Sequence, residues 1–530
     1  MRKLGKDNLI DTVAVIIAFL MMTAIVLYSS ITRYLLKSEF FLLEDHVTEI
    51  EDYLGEYSDY YVIATAPING LPHGISGTEI RENEITIMLP SYMGDDIIVD
   101  FYTGWDEKIG SYRCNFKKNP VYSVKGKTIQ IVKSDLPFVF VDVDKDNFSE
   151  VNKSHTPENP EKIKSEGFIT AYVDGKYLNE ATMTIGPRGS ATWNLYLKRP
   201  YSIKMDNDTM IFGFGNIKKY NLMANASDKT LLKNEVFFDL CNSLDLQYTP
   251  KIRNVNMFIN NQYKGIYSVS TKVKQGKNTL PLDKNDFLVC FGAPNYKNII
   301  PYESTFWTEE SEDSRTPRSY VDLEWPETND ERTINKVQSI IQNYIDIIEG
   351  KKEGKLSDYI DLDSFAKYYW VQEIGKNADG MFRSTYMYYK AKDGKLYMGP
   401  MWDMEFVLGS VLVKDGASFI EPEGWAVREC AYYKYLFKNK EFVDAVNRIY
   451  YEYDIESKMQ ESYENYQNKI NKLSLEGEIN YEMWKDEQNF YDIVVTEDNP
   501  TYQDFCNRKL EFYKTRIDWI TNEMRKSKNN

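Results

Sequence analysis

Between Asp11 and Arg33 the chain runs through 21 consecutive uncharged residues, TVAVIIAFLMMTAIVLYSSIT (32 minus 11). As a helix this run covers about 31 Å, close to the thickness of a bilayer core. Residues 1–33 are therefore expected to hold a single membrane-spanning helix. Arg2, Lys3 and Lys6 precede the run and Arg33 and Lys37 follow it. This bias favours an inside N-terminus, with the bulk of the chain beyond the cell membrane. A cleaved signal peptide would carry a shorter apolar stretch and a small-x-small site, which LYSSITRYLL matches poorly. Export is expected on either reading.

Beyond this segment the pattern changes three times. Residues 34–59, with EFFLLEDHVTEIEDYL, read as a juxtamembrane helix that spaces the rest from the membrane. Residues 60–135 carry short alternating runs, EITIMLP, DIIVDFYT and TIQIVK, broken by Gly, Asp, Asn and Pro. That pattern predicts a small antiparallel β-sandwich, similar to the immunoglobulin-like modules of exported bacterial proteins. A larger domain is expected over 136–430, with 431–530 as its C-terminal helical part. It opens with strands FVFVDV and FITAYVDG flanking DKDNFSEVNKSHTPENPEKIKSEG, a linker or long surface loop. From about residue 330 the periodicity is helical, as in INKVQSIIQNYIDIIEG. Strands first and helices later make an α+β class, with two lobes plausible.

Composition narrows the chemistry. A chain with 42% hydrophobic and 14% aromatic residues holds enough apolar material for real cores. The 80 acidic and 64 basic residues leave a net charge of −16, which offers no broad footprint for nucleic acid. The five cysteines are widely spaced and odd in number, so neither a disulfide framework nor a CxxC metal site is encoded. All three histidines, His46, His73 and His155, lie in the first third. Any mechanism in the last two thirds runs on carboxylates, lysines and hydroxyls, which excludes Ser-His-Asp and Cys-His nucleophiles there.

Three stretches carry such groups. GPRGSATWNLYLKRPYSIKMD (186–206) is a glycine turn with Arg188 and Ser190, followed by a strand-like segment ending in Lys204. Its backbone N–H groups can approach phosphate oxygens and its lysine can neutralise them; a plain hairpin is the structural alternative. KNADGMFRSTYMYY (376–389) sets Asp379 in a turn between a helix and a strand, where a carboxylate can take a proton from an attacking hydroxyl or simply cap the turn. DGKLYMGPMWDMEFVLG (393–409) is a hairpin leading to Asp403 and Glu405, hard oxygen ligands suited to magnesium or manganese.

The order and wording of RGSATWNLYLKRPYSIKM, KKYNLMANASDKTLLKN (218–234), VNMFINNQYKGIYSVSTKV (255–273), KNADG and GPMWDMEF resemble the spore-coat protein H (CotH) family over about residues 180–430. The resemblance implies an atypical protein-kinase-like fold that phosphorylates protein Ser or Thr hydroxyls with ATP and Mg2+ or Mn2+. Carried over by motif, Asp379 is the catalytic aspartate and Asp403 holds the metal, with Glu405 beside it. Lys204 is the phosphate-binding lysine, with Lys198 as an alternative. Arg188 and Ser190 sit over the nucleotide, and Glu235 pairs with Lys204. Thr271 stands where the family's strand block ends in glutamate, Glu405 replaces a commoner aspartate, and Ala191 replaces a small polar residue.

Three functions stay open at this point: a phosphotransferase acting on a protein, a pseudokinase or surface scaffold, and a carbohydrate-active enzyme. The last would need two carboxyls about 5 to 10 Å apart in an aromatic cleft free of phosphate-binding lysines.

Overall fold

The computed structural model describes residues 48–49, 60–65, 74–103, 108–115, 117, 121–124, 126–189, 191–291, 299–304, 320–380, 383–410, 417–430, 432–487 and 500–529. No helix among them is long and apolar enough to cross a membrane. The apolar run at 12–32, and Ser190, lie outside the described residues. The chain divides into two compact units, Met1–Ser134 and Asp135–Asn530.

The first unit holds a five-stranded and a four-stranded sheet. Glu84–Pro90 pairs in parallel with Lys127–Ser134, so the module is mixed rather than wholly antiparallel. Parallel neighbours need a long crossover, and the chain between them supplies it by building Asp96–Thr103 and Lys108–Asn115 of the other sheet. Within the expected juxtamembrane helix, the described pair Thr48–Glu49 is a short strand beside Tyr122–Ser123.

The second unit begins with a closed seven-stranded barrel of β1 (Phe138–Val143), β2 (Ser165–Val173), β3 (Lys176–Pro187), β4 (Tyr201–Thr209), β5 (Ile217–Met223), β6 (Ile252–Ile259) and β7 (Gln262–Thr271). Its order is β1-β2-β3-β4-β5-β7-β6, closed by parallel pairing of β1 with β6. A strand apolar on both faces suits that closure. Val139 and Val141 of β1 join the barrel core, while Phe140 stacks on Phe258 with ring centres 4.8 Å apart. Asn260 and Asn261 both take positive φ, as the tight β6–β7 hairpin requires.

Part of the expected linker folds as α1 (Lys145–Lys153), capped by Asp144, whose side chain accepts from Asn147 N at 2.8 Å. Cap and apolar spacing, with Val151 buried and Phe148 against the barrel core, outweigh the turn-forming composition around them. Between β5 and β6 runs α2 (Lys233–Ser243).

The remainder packs around a sheet of β8 (Phe287–Phe291), β9 (Ile299–Pro301), β10 (Tyr320–Trp325), β11 (Thr385–Lys390) and β12 (Lys395–Met398), in the order β9-β10-β8-β11-β12. Helices α3 (Glu331–Ile348), α4 (Leu362–Gly375), α5 (Lys440–Glu452), α6 (Ile455–Trp484) and α7 (Tyr502–Asn529) surround it. From Phe365 to Gly375 every residue of α4 is buried, the mark of a helix inside a core. Phe406 packs against both this core and the barrel core, so the segment after Asp403 sits where the two meet.

Candidate functional site

Helix α4 stops at Lys376, which adopts the left-handed conformation, φ 47°, and the chain turns through Asn377 and Asp379. The β11–β12 hairpin then carries the chain out and back to Asp403. Asp403 is itself left-handed at φ 62°, a strained position that Asp tolerates better than most residues.

The two carboxylate-bearing turns are bound to each other. Asn377 Nδ2 donates to the Asp403 carbonyl at 3.3 Å, and Ala378 N donates to the Phe406 carbonyl at 3.1 Å. Asp379 N donates to Asn377 Oδ1 at 3.1 Å. Ser384 Oγ donates to Asp403 Oδ2 at 2.9 Å. Asp403 is half-buried and Asp379 likewise, so both stand at the edge of the core rather than in free solvent.

The N-terminus of α2 supports this bend from below. Met404 N donates to Asn234 Oδ1 at 2.9 Å, and the buried Lys233 ammonium donates to the Glu405 carbonyl at 2.6 Å and to Ser410 Oγ at 2.8 Å. Asp228, 3.7 Å from Lys233, accepts from Thr230 N, Leu232 N and Lys233 N, the last two being orphan donors at the start of the helix. Ser227 Oγ donates to Glu405 Oε2. Burial, followed by the charge of Asp403, raises the Glu405 carboxyl to about 7.

Across from the carboxylates lies positive charge. Arg188, at the end of β3, places its guanidinium 5.2 Å from the centre of the Trp402 ring. Burial lowers its affinity for its proton, and Asp403, Glu405 and Tyr386 oppose that. Behind it, Lys204 on β4 faces Lys219 on β5 in register, and Tyr220 faces Thr271 on β7, the residue before Lys272. Lys272 Nζ donates to Ser202 Oγ. Burial, then Arg188, Lys219, Lys274 and Lys162, bring the Lys272 ammonium down to about 7. Burial, then Lys274 and Lys204, lower Lys219 too. Three lysines and an arginine surround a half-buried fourth lysine, a local concentration of positive charge in a chain of net charge −16. Next to it a cavity of about 130 Å³ is lined by Thr271, Lys272, Lys274, Asn278, Leu280 and Pro400, among others.

Two expected members fall elsewhere. Lys198 is buried with its ammonium donating to the Ile266 carbonyl at 2.6 Å and to Asn480 Oδ1 of α6 at 2.7 Å. It ties the barrel to α6. Glu235 bonds Lys469 of α6, not Lys204, because its position on α2 turns it toward that helix. Lys204 is exposed at the outer end of the lysine row. The motif reading passed over Lys272, Lys219, Asn377 and Ser384. For Lys272 the available signal was its place directly after Thr271 at the end of the strand block.

Among the described residues no group of three or more His, Cys, Asp or Glu assembles that could hold a metal by itself. Magnesium does not need one, since it binds through one or two carboxylates together with substrate phosphates. Asp403 fits that role. Glu405, bonded to Ser227, is less free to turn.

A comparison with curated proteins returns no match. The model of the family described as CotH kinase protein matches residues 185–520, which covers the glycine turn, both aspartate turns and the closing helices. With more than half of its length inside that match, the chain belongs to the CotH kinase protein family.

Proposed function

We propose that this protein transfers the γ-phosphoryl group of ATP to Ser or Thr hydroxyls of a protein substrate. The observation that carries this reading is the Arg188 guanidinium over the Trp402 ring, one residue before Asp403, with Lys204 and Lys219 in register on β4 and β5. Phosphoryl transfer is catalysed by positioning and by charge, with little covalent chemistry asked of the protein. Opposed acidic and basic groups are what it needs.

In this reading Asp403 holds a magnesium or manganese ion, which when bound offsets charge on the phosphate oxygens. Asp379 accepts the proton of the attacking hydroxyl. Arg188 and Lys272 neutralise the phosphates, Lys204 and Lys219 extend the positive field, and the adjoining cavity seats the base. Radiolabel transfer from γ-labelled ATP to added protein, abolished by Asp403→Asn and by Asp379→Asn, tests it; transfer that survives both substitutions rejects it.

A second reading, nucleotide binding without turnover, is favoured by Thr271. Its hydroxyl accepts from Lys251 N at 3.0 Å and so serves the backbone where the family carries glutamate. Nucleotide binding with no transfer under either metal would select it. The lysine row beside the carboxylates argues against glycoside cleavage.

Membrane anchoring through the apolar run at 12–32, with the remainder outside the cell, is part of the same proposal. Carbonate-resistant membrane association of the full chain, lost on deleting 12–32, tests it.

A further inference from the structure

The segment from Arg188 to Pro200 leaves the barrel between β3 and β4 and carries the guanidinium that lies over Trp402, next to Asp403 in the chain. Its ends are pinned together, with Arg188 N donating to the Pro200 carbonyl at 3.3 Å. Its body is held by a neighbour outside the family match, the end of α1 and the loop 154–163 that follows it. Trp193 Nε1 donates to the Ser154 carbonyl at 2.9 Å from a fully buried ring. Arg199 stacks on Trp193 with 4.8 Å to the ring centre and donates to the Asn152 carbonyl. Tyr201 Oη donates to Asn152 Oδ1 at 2.8 Å. These contacts fix the far side of the excursion.

The near side, at the glycine turn, is held by His155. Its Nε2 lies 2.7 Å from the Gly189 carbonyl oxygen, an acceptor, so this nitrogen carries hydrogen and donates. Gly189 takes φ +77°, and a Cβ there would meet Thr192 Oγ1 at 2.8 Å, so the turn needs glycine, and glycine's own backbone freedom must be restrained from outside. His155 itself is left-handed, φ 55°, and its backbone N–H donates to the Glu161 carbonyl at 2.8 Å, which fixes the main chain that presents the imidazole. The ring is only half-buried, so its contribution to the core is small.

We infer that His155 is a positioning residue that locks the Gly189 peptide and thereby aims Arg188 at the nucleotide phosphates. Its kinetic consequence rests on the phosphotransferase reading, but the lock itself does not. A single hydrogen bond of this kind corresponds to a change of about five-fold in an equilibrium or rate ratio.

The test uses the full-length chain and compares His155→Ala with His155→Gln, whose amide nitrogen can replace Nε2 as donor. Amide hydrogen exchange across residues 187–193 is expected to quicken about five-fold in His155→Ala and to return toward wild type in His155→Gln, with the unfolding midpoint little changed. In wild type that turns over ATP, KM for ATP is expected to rise about five-fold in the alanine variant, with kcat less affected and glutamine restoring it. Unchanged exchange in His155→Ala, or a glutamine variant as loose as alanine, overturns the inference. Wild type that fails to turn over ATP overturns the proposed function instead, and the exchange comparison still decides the role of His155.

Discussion

The Arg188 guanidinium lies 5.2 Å from the centre of the Trp402 ring, one residue before Asp403. The stack places a planar cation from the barrel on the turn that carries the metal-binding candidate. Arginine and lysine differ here because only the guanidinium is planar and fork-shaped. Arg188→Lys is therefore expected to lower kcat/KM for ATP by about ten-fold while leaving the unfolding midpoint near wild type. Equal activity in steady-state kinetics would remove Arg188 from the site.

Lys272 supplies a pH signature. Its ammonium is pulled down to about 7 by burial and by the surrounding cations, Arg188 first. A bound polyanion reverses that repulsion and raises the value, so at pH 8 nucleotide binding takes up a proton. Affinity then falls as pH climbs above 7, toward the value in the bound state. Calorimetry at pH 8 in buffers of different ionisation enthalpy is expected to show clearly more uptake in wild type than in Lys272→Gln. Uptake unchanged in the variant would place the titrating group elsewhere.

Lys198 separates a structural lysine from a catalytic one. Lys198→Met leaves the Ile266 carbonyl and Asn480 Oδ1 without this buried donor. The expected loss is about 1–3 kcal/mol of stability in denaturant unfolding, with KM for ATP unchanged in the folded protein. A raised KM at unaltered stability would restore the motif-based assignment.

Arg516 of α7 and Glu373 of α4 form a buried pair, 2.7 Å apart, four residues before Asn377. Glu373 also accepts from Ala426 N and Arg428 N, and Arg516 donates to the Pro422 and Gly424 carbonyls. The pair thus binds the segment after Asp403 to the helix that leads into Asp379. Removing one charge, in Arg516→Met, is expected to cost about 3–5 kcal/mol of unfolding free energy, because it strands the other. A cost under about 1 kcal/mol would show the pair to be dispensable.

What the sequence made legible follows from how local each feature is. Asp379 and Asp403 were readable because one short hairpin, announced by alternating residues and Asp393-Gly394, returns the second turn to the first. The choice among lysines was not. Whether Lys204 or Lys272 lies deeper depends on the pairing of β4 with β5 and of β5 with β7, which no local pattern encodes. The partners of Lys198 and Glu235 were hidden for a related reason: Asn480 and Lys469 lie in α6, more than 200 positions away. The helix α1 was hidden by its neighbours, since Asp144, Phe148 and Val151 carry a cap and an apolar face inside a segment otherwise rich in turn formers.

The most direct measurement is phosphate transfer by the full-length chain from γ-labelled ATP to added protein, with magnesium or manganese, in wild type, Asp403→Asn and Asp379→Asn. Transfer is expected in wild type, with a loss of at least about a hundred-fold in each variant and retained folding in both. No transfer in wild type with either metal, or transfer that persists in Asp403→Asn, would contradict the phosphotransferase reading.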